Sequence, residues 1–193
     1  MNYSIVLVLL LGTGLLAMSA MAVSKTPVAA TLLSEKEAVA LVGGPLGEVF
    51  KNEELPTMQN GHDHNSVCGF FPKGYNIQTA DRPPERGVQL QLHAMRTNAE
   101  AKTFYEHTLS MNQKMAGMPG PFAGNKITLL KGMGEVAFLL EQKSEPESGS
   151  SYEIASVTFV KGNVMAQLMV WKKAASATEI AKNAAKQVLS KLP

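Results

Sequence analysis

Between Tyr152 and Trp171 the chain alternates apolar and polar positions on either side of Gly162-Asn163. That pair is a two-residue, Gly-first turn that suits the right-handed twist of paired strands, so the stretch predicts a β-hairpin. Placing the turn sets the register: Lys161 opposite Val164, Phe159 opposite Ala166, Val157 opposite Leu168, Ala155 opposite Val170. One face then carries Ala155, Val157, Phe159, Val164, Ala166, Leu168 and Val170 and reads as core. The other carries Ile154, Ser156, Thr158 and Val160 beside Met165, Gln167, Met169 and Trp171. A slip of one residue would mix the two sets.

The same period of two runs through Val88–Met95, where Val88, Leu90, Leu92 and Ala94 alternate with Gln89, Gln91, His93 and Met95. Shorter strands are expected at Ser66–Phe71, Lys126–Lys131 and Glu135–Glu141. Tyr75–Thr79 would pair with the first of these across Pro72-Lys73-Gly74. Lys51–Ser66 and residues 80–87 read as loops, and residues 142–150 as an acidic, Ser-rich connector. Ser34-Glu35-Lys36-Glu37 is a capping box, opening a short helix through Val42 that Gly43-Gly44-Pro45 stops. Thr97 or Asn98 caps a second helix, Ala99–Ala116, apolar along Ala101, Phe104, Tyr105, Leu109 and Met115. Ser176-Ala177-Thr178-Glu179 is another capping box. It opens a closing helix to about Lys191, with Ile180, Ala184, Val188, Leu189 and Leu192 on one side.

Helix, strands, helix, strands, helix is the order of an α+β domain. The expected architecture is a single antiparallel sheet with helices packed on one face, in two related halves. The second face of such a sheet is free to stay open.

At 193 residues, 45% hydrophobic and 18% charged, the chain suits one globular domain. The net charge of +2 comes from scattered lysines without aromatic interleaving, which argues against nucleic acid as a partner. Ile5–Met18 is apolar and is followed by Ala20-Met21-Ala22, the small-x-small pattern of a signal peptidase site. Cleavage after Ala22 would remove residues 1–22 and leave 193 − 22 = 171 residues. Residues 23–33 would be a flexible N-terminal segment and 34–193 the domain, periplasmic or secreted. The rival reading keeps the apolar run as an anchor, the only membrane contact the sequence suggests. Cys68, a single cysteine, has no internal disulfide partner, so the core alone must hold the fold.

Three groups of residues could carry chemistry. The first is the second sheet face: Gln89, Gln91, His93 and Met95 beside Thr158, Met165, Gln167, Met169 and Trp171. It is uncharged and rich in Met and Trp, as interface cores are, and would receive an envelope protein, a peptide or a small apolar ligand. The plainer reading covers that face with the chain's own loop, such as Lys51–Ser66. The second group is His62, His64 and Cys68, soft ligands for copper or zinc, against the plainer reading of an exposed loop and a packed thiol. The third is Met111, Met115 and Met118, thioethers spaced four and three apart, which would favour Cu(I) or simply fill gaps. Cys68 could also crosslink two chains. No catalytic fingerprint is present, and Cys68 with a histidine lacks a third orienting group, so neither an enzyme nor a cofactor is expected.

Leu41-Val42-Gly43-Gly44 closing a capped helix, Cys68-Gly69-Phe70 in a first strand, Gly132-Met133-Gly134-Glu135-Val136-Ala137 before later strands, and a C-terminal amphipathic helix form a layout. It is similar to exported bacterial domains of unknown function, over about Leu32 to Leu192. The resemblance implies an α+β sheet domain that binds rather than catalyses. This chain departs from the lipoprotein members in lacking a lipidated cysteine, and Cys68 lacks the second cysteine that many members pair with it.

Overall fold

A computed structural model describes residues 26–52, 64–75, 83–119, 123–144, 152–173 and 176–193. Four helices, α1 (Ala29–Leu32), α2 (Glu35–Val42), α3 (Asn98–Ala116) and α4 (Ala177–Lys191), pack on strands β1 (Gly47–Asn52), β2 (His64–Phe71), β3 (Arg86–Ala94), β4 (Lys126–Leu129), β5 (Val136–Ser144), β6 (Tyr152–Lys161) and β7 (Val164–Lys173). The strands form one antiparallel sheet in the order β1-β2-β3-β7-β6-β5-β4. The α+β class and the single sheet are as expected. Each half runs helix then strands, and the last strand of each half, β3 and β7, meets the other at the centre.

The β6–β7 hairpin has the expected register, from Lys161 opposite Val164 to Ala155 opposite Val170. Gly162 takes φ +56°, a value its lack of a Cβ permits. Ala155, Val157, Phe159, Ala166, Leu168 and Val170 are wholly buried, with Val88, Leu90 and Leu92 of β3. Helices α1, α2 and α4 cover this first face. Each fully buried Leu, Val or Phe contributes about 1.5–3 kcal/mol relative to exposure. The seam of α4 is small: Ala177, Ala181, Ala184, Ala185 and Val188 are buried, while Ile180 and Leu189 flank them. A run of Cβ methyls lets the helix axis approach the sheet closely.

Helix α3 crosses the opposite face. Its Ala101 and Tyr105 are buried against Phe138, Val160 and Met165, with Phe104, Leu109, Ile127, Val136 and Leu140 around them. Its cap is Thr97, one of the two expected residues, and Glu100 completes a capping box with it. Ser34 and Glu37 likewise cap α2.

Two local expectations give way to tertiary structure. Ser176 has φ +40° and its side chain caps nothing. The first amide of α4 instead donates to a carboxylate from β6, Ala177 N to Glu153 Oε2 at 3.1 Å. Residues 29–33 were expected in the flexible segment, yet Ala29, Leu32 and Leu33 are buried. The Ala29 amide donates to Ser66 Oγ at 2.9 Å, which straps α1 to β2. A four-residue helix is too short to show a period. Strand β1 has no counterpart among the expected elements, and only its last two residues, Lys51 and Asn52, overlap the loop expected from Lys51. The signal segment and residues 76–79 lie outside the described residues.

Candidate functional site: a half-open strip on the second sheet face

Ladder pairing lays the second face out in rows that run across the strands. One row is Asn65, His93, Met165, Val160 and Val136, and the next is Val67, Gln91, Gln167, Thr158 and Phe138. A third is Gln89, Met169, Ser156 and Leu140, and a fourth is Gly87, Trp171 and Ile154. Neighbouring rows are two residues apart along each strand, or about 7 Å.

The two ends of this face are closed. At the α3 end the His93 ring lies 5.0 Å from Phe104, and Tyr105 lies 5.5 Å from Phe138. Burial pushes the Tyr105 hydroxyl above its usual pKa. At the other end Phe71 meets Trp171 edge-on at 5.2 Å and stacks on Tyr75 at 5.6 Å. The Phe71 ring sits over Gly87, where a Cβ would come within 2.4 Å of it. Burial also raises the Tyr75 pKa.

Five of the nine residues expected on an open docking face are therefore buried: His93, Met95, Thr158, Met165 and Trp171. This corrects the expectation of a wide open surface. Met165 serves the α3 core, and Met95 is tied to the hairpin turn, its amide donating to the Asn163 carbonyl and its carbonyl accepting from Asn163 Nδ2. Trp171 belongs to the aromatic cluster. The remaining four, Gln89, Gln91, Gln167 and Met169, are half-buried and form two adjacent pairs in the middle rows. Gln167 Nε2 donates to Ser156 Oγ at 3.3 Å. Beside it Thr158 is wholly buried, and its Oγ1 has no hydrogen-bond partner. The signal for the covered part was present in the sequence: Val136, Phe138 and Leu140 make β5 apolar on this face as well.

The metal-ligand candidates do not converge. Cys68 is wholly buried on the first face, its thiol 3.9 Å from the Leu33 carbonyl under the α1 strap. His64 is exposed at the start of β2, about 13 Å along the strand from Cys68. His62 lies outside the described residues. Met111 and Met115 lie on α3, across the sheet from Cys68, and Met111 and Met118 are exposed. Among the described residues no group of three or more His, Cys, Asp or Glu could hold a metal ion.

No family model and no curated relative matches this sequence. The chain is similar in fold to the extracellular domain of PknH from Mycobacterium tuberculosis. The two superpose with a TM-score of 0.62 at 16% identity, over 85% of this chain and 93% of that one. Among the described residues no helix is long and apolar enough to cross a membrane.

Proposed function

We propose that this protein is an exported, non-catalytic binding domain that receives an extended, uncharged peptide segment along the strip formed by Gln89, Gln91, Gln167 and Met169. The observation that carries the reading is the pairing of Gln91 with Gln167 and of Gln89 with Met169, half-buried between two closed ends. Side-chain amides match the donor and acceptor pattern of a peptide backbone, and a methionine adapts to varied apolar side chains. No charged side chain stands in the two middle rows, which disfavours ionic ligands there. Export rests on the apolar Ile5–Met18 run and Ala20-Met21-Ala22, and the described part of the chain is similar in fold to an extracellular domain.

The test is a photo-crosslinking amino acid placed at Gln91 in producing cells, with the same group at Lys186 on the outer side of α4 as control. A discrete adduct from position 91, absent from position 186 and lost when Gln167→Ala is added, supports the strip. No adduct from position 91, or the same adducts from both positions, overturns it.

A further inference from the structure

On the first face, beyond the last core row, the ladder sets two cations side by side. Arg86 opens β3 and is in register with Lys172 of β7. Both follow the parity of Val88 and Val170, so they share the side that α2 covers. Like charges directly opposite across a ladder repel, and such a pair needs a reason to persist. Among the described residues neither makes an ion pair. The neighbour of Lys172 on its other side is Glu153, whose carboxylate accepts from the Ala177 amide at 3.1 Å. The Arg86 guanidinium is laid against the main chain just past α2, where a Cβ on Gly44 would come within 2.2 Å of Nη1. Its Nε is buried and has no acceptor. Val42, Glu85, Arg86 and Lys172 line an open cavity of about 170 Å³. Glu85 is exposed and engaged in an interaction of its own.

We infer that this notch binds one small oxyanion, a phosphate or carboxylate group. An oxyanion seated between Arg86 and Lys172 offsets the repulsion of two cations held in register without an ion pair. The planar fork of Arg86 suits two oxygens of one anion, and Lys172 adds a point charge that can follow a third. The cavity is smaller than the roughly 300–1,000 Å³ of pockets that hold drug-sized ligands, which fits a single anionic group. The notch lies on the opposite face of the sheet from the glutamine strip, so the two sites stand or fall separately.

Backbone amide shifts of the protein during titration with inorganic phosphate, at constant ionic strength, test this. Saturating shifts are expected at Gly43, Gly44, Arg86 and Lys172, with none at Gln91 or Gln167. Lys172→Gln should weaken the apparent affinity about tenfold, and Arg86→Lys, which keeps the charge and loses the fork, by a similar factor. Lys126→Gln, at an exposed lysine elsewhere, should change nothing. Because Lys172 is only half-buried, its variant keeps the fold, and its unchanged remote amides verify that. Non-saturating shifts, or saturation that Lys172→Gln leaves intact, overturn the site. Cosedimentation with phosphatidylglycerol vesicles but not phosphatidylcholine vesicles, lost in Lys172→Gln, identifies a lipid headgroup as the source. Phosphate saturation without vesicle binding identifies the free ion.

Discussion

Lys191, in the last turn of α4, donates to the carboxylate of Glu37, in the first turn of α2, across 154 residues of sequence. The same ammonium donates to the Leu32 carbonyl at 2.8 Å, so one side chain joins α1, α2 and α4 over the first face. Glu37 is also the capping-box partner of Ser34, accepting from its amide at 2.9 Å and its hydroxyl at 2.7 Å. Every group around the carboxylate favours its charged form.

Lys191 first, and then Ser34, hold the Glu37 carboxyl at about 2, against an ordinary value of 4.5. A depressed folded-state pKa stabilises above the unfolded value and loses that contribution as pH falls through the folded one. The window is therefore pH 4.5 down to about 2. The full shift would be worth about 3 kcal/mol. The pair is about a third exposed, and solvent screening reduces this to about 1 kcal/mol. Glu37→Gln should cost about that much at pH 7 by urea denaturation, and almost nothing at pH 2. An equal loss at both pH values would show that the charge is not what matters.

Thr158 is wholly buried with an unpartnered hydroxyl, next to the half-open strip. Thr158→Val keeps the shape and removes the desolvation cost, so the free protein should gain about 1 kcal/mol. The thermal midpoint of the variant should rise accordingly. A destabilised Thr158→Val protein would mean that the hydroxyl is satisfied in solution.

Trp171 and Gln91 separate packing from recognition. Trp171 is 7% exposed and packs edge-on against Phe71, so Trp171→Ala should cost about 3–5 kcal/mol in urea denaturation. Gln91→Ala, on the half-buried strip, should cost about 0.5 kcal/mol or less. Near-wild-type stability of the Trp171→Ala protein would return that residue to the docking surface the sequence suggested.

The hairpin register was legible because a Gly-first turn and a period of two agree over twenty positions, and one slip exposes the whole core set. The class and the single sheet followed from element order. What covers the second face was not legible from α3 itself. Ala101 and Tyr105 show that the helix has an apolar side, but not which side of the sheet it meets. Only the apolar residues at Val136, Phe138 and Leu140, read together with Val160, point to it. The cap on α4 was invisible locally because the acceptor, Glu153, comes from another strand. The Arg86–Lys172 notch needed the pairing of β3 with β7, a contact between residues 86 apart in sequence.

Gly134 turns the chain into β5 at φ +66°, and a Cβ there would lie 2.4 Å from the Val160 carbonyl oxygen. That oxygen accepts the Glu135 amide at 2.8 Å, so neither group can retreat without breaking the ladder edge. Glu135 in turn clamps the hairpin. Its carboxylate accepts from the Gly162 amide at 2.9 Å and Asn98 Nδ2 at 2.7 Å, and it pairs with Lys102 at 2.7 Å. Lys102, then Asn98 and Gly162, lower its pKa. Gly132, two residues earlier, has φ +72° with open space around it. Gly132→Ala therefore meets only the left-handed backbone cost, about 1 kcal/mol. Gly134→Ala adds a collision with main chain and should cost about 3 kcal/mol, with faster hydrogen exchange at the Gly162 amide as the clamp loosens. Equal losses in the two variants, measured by urea denaturation, would show that the Val160 carbonyl moves freely and that the clamp does not depend on this approach.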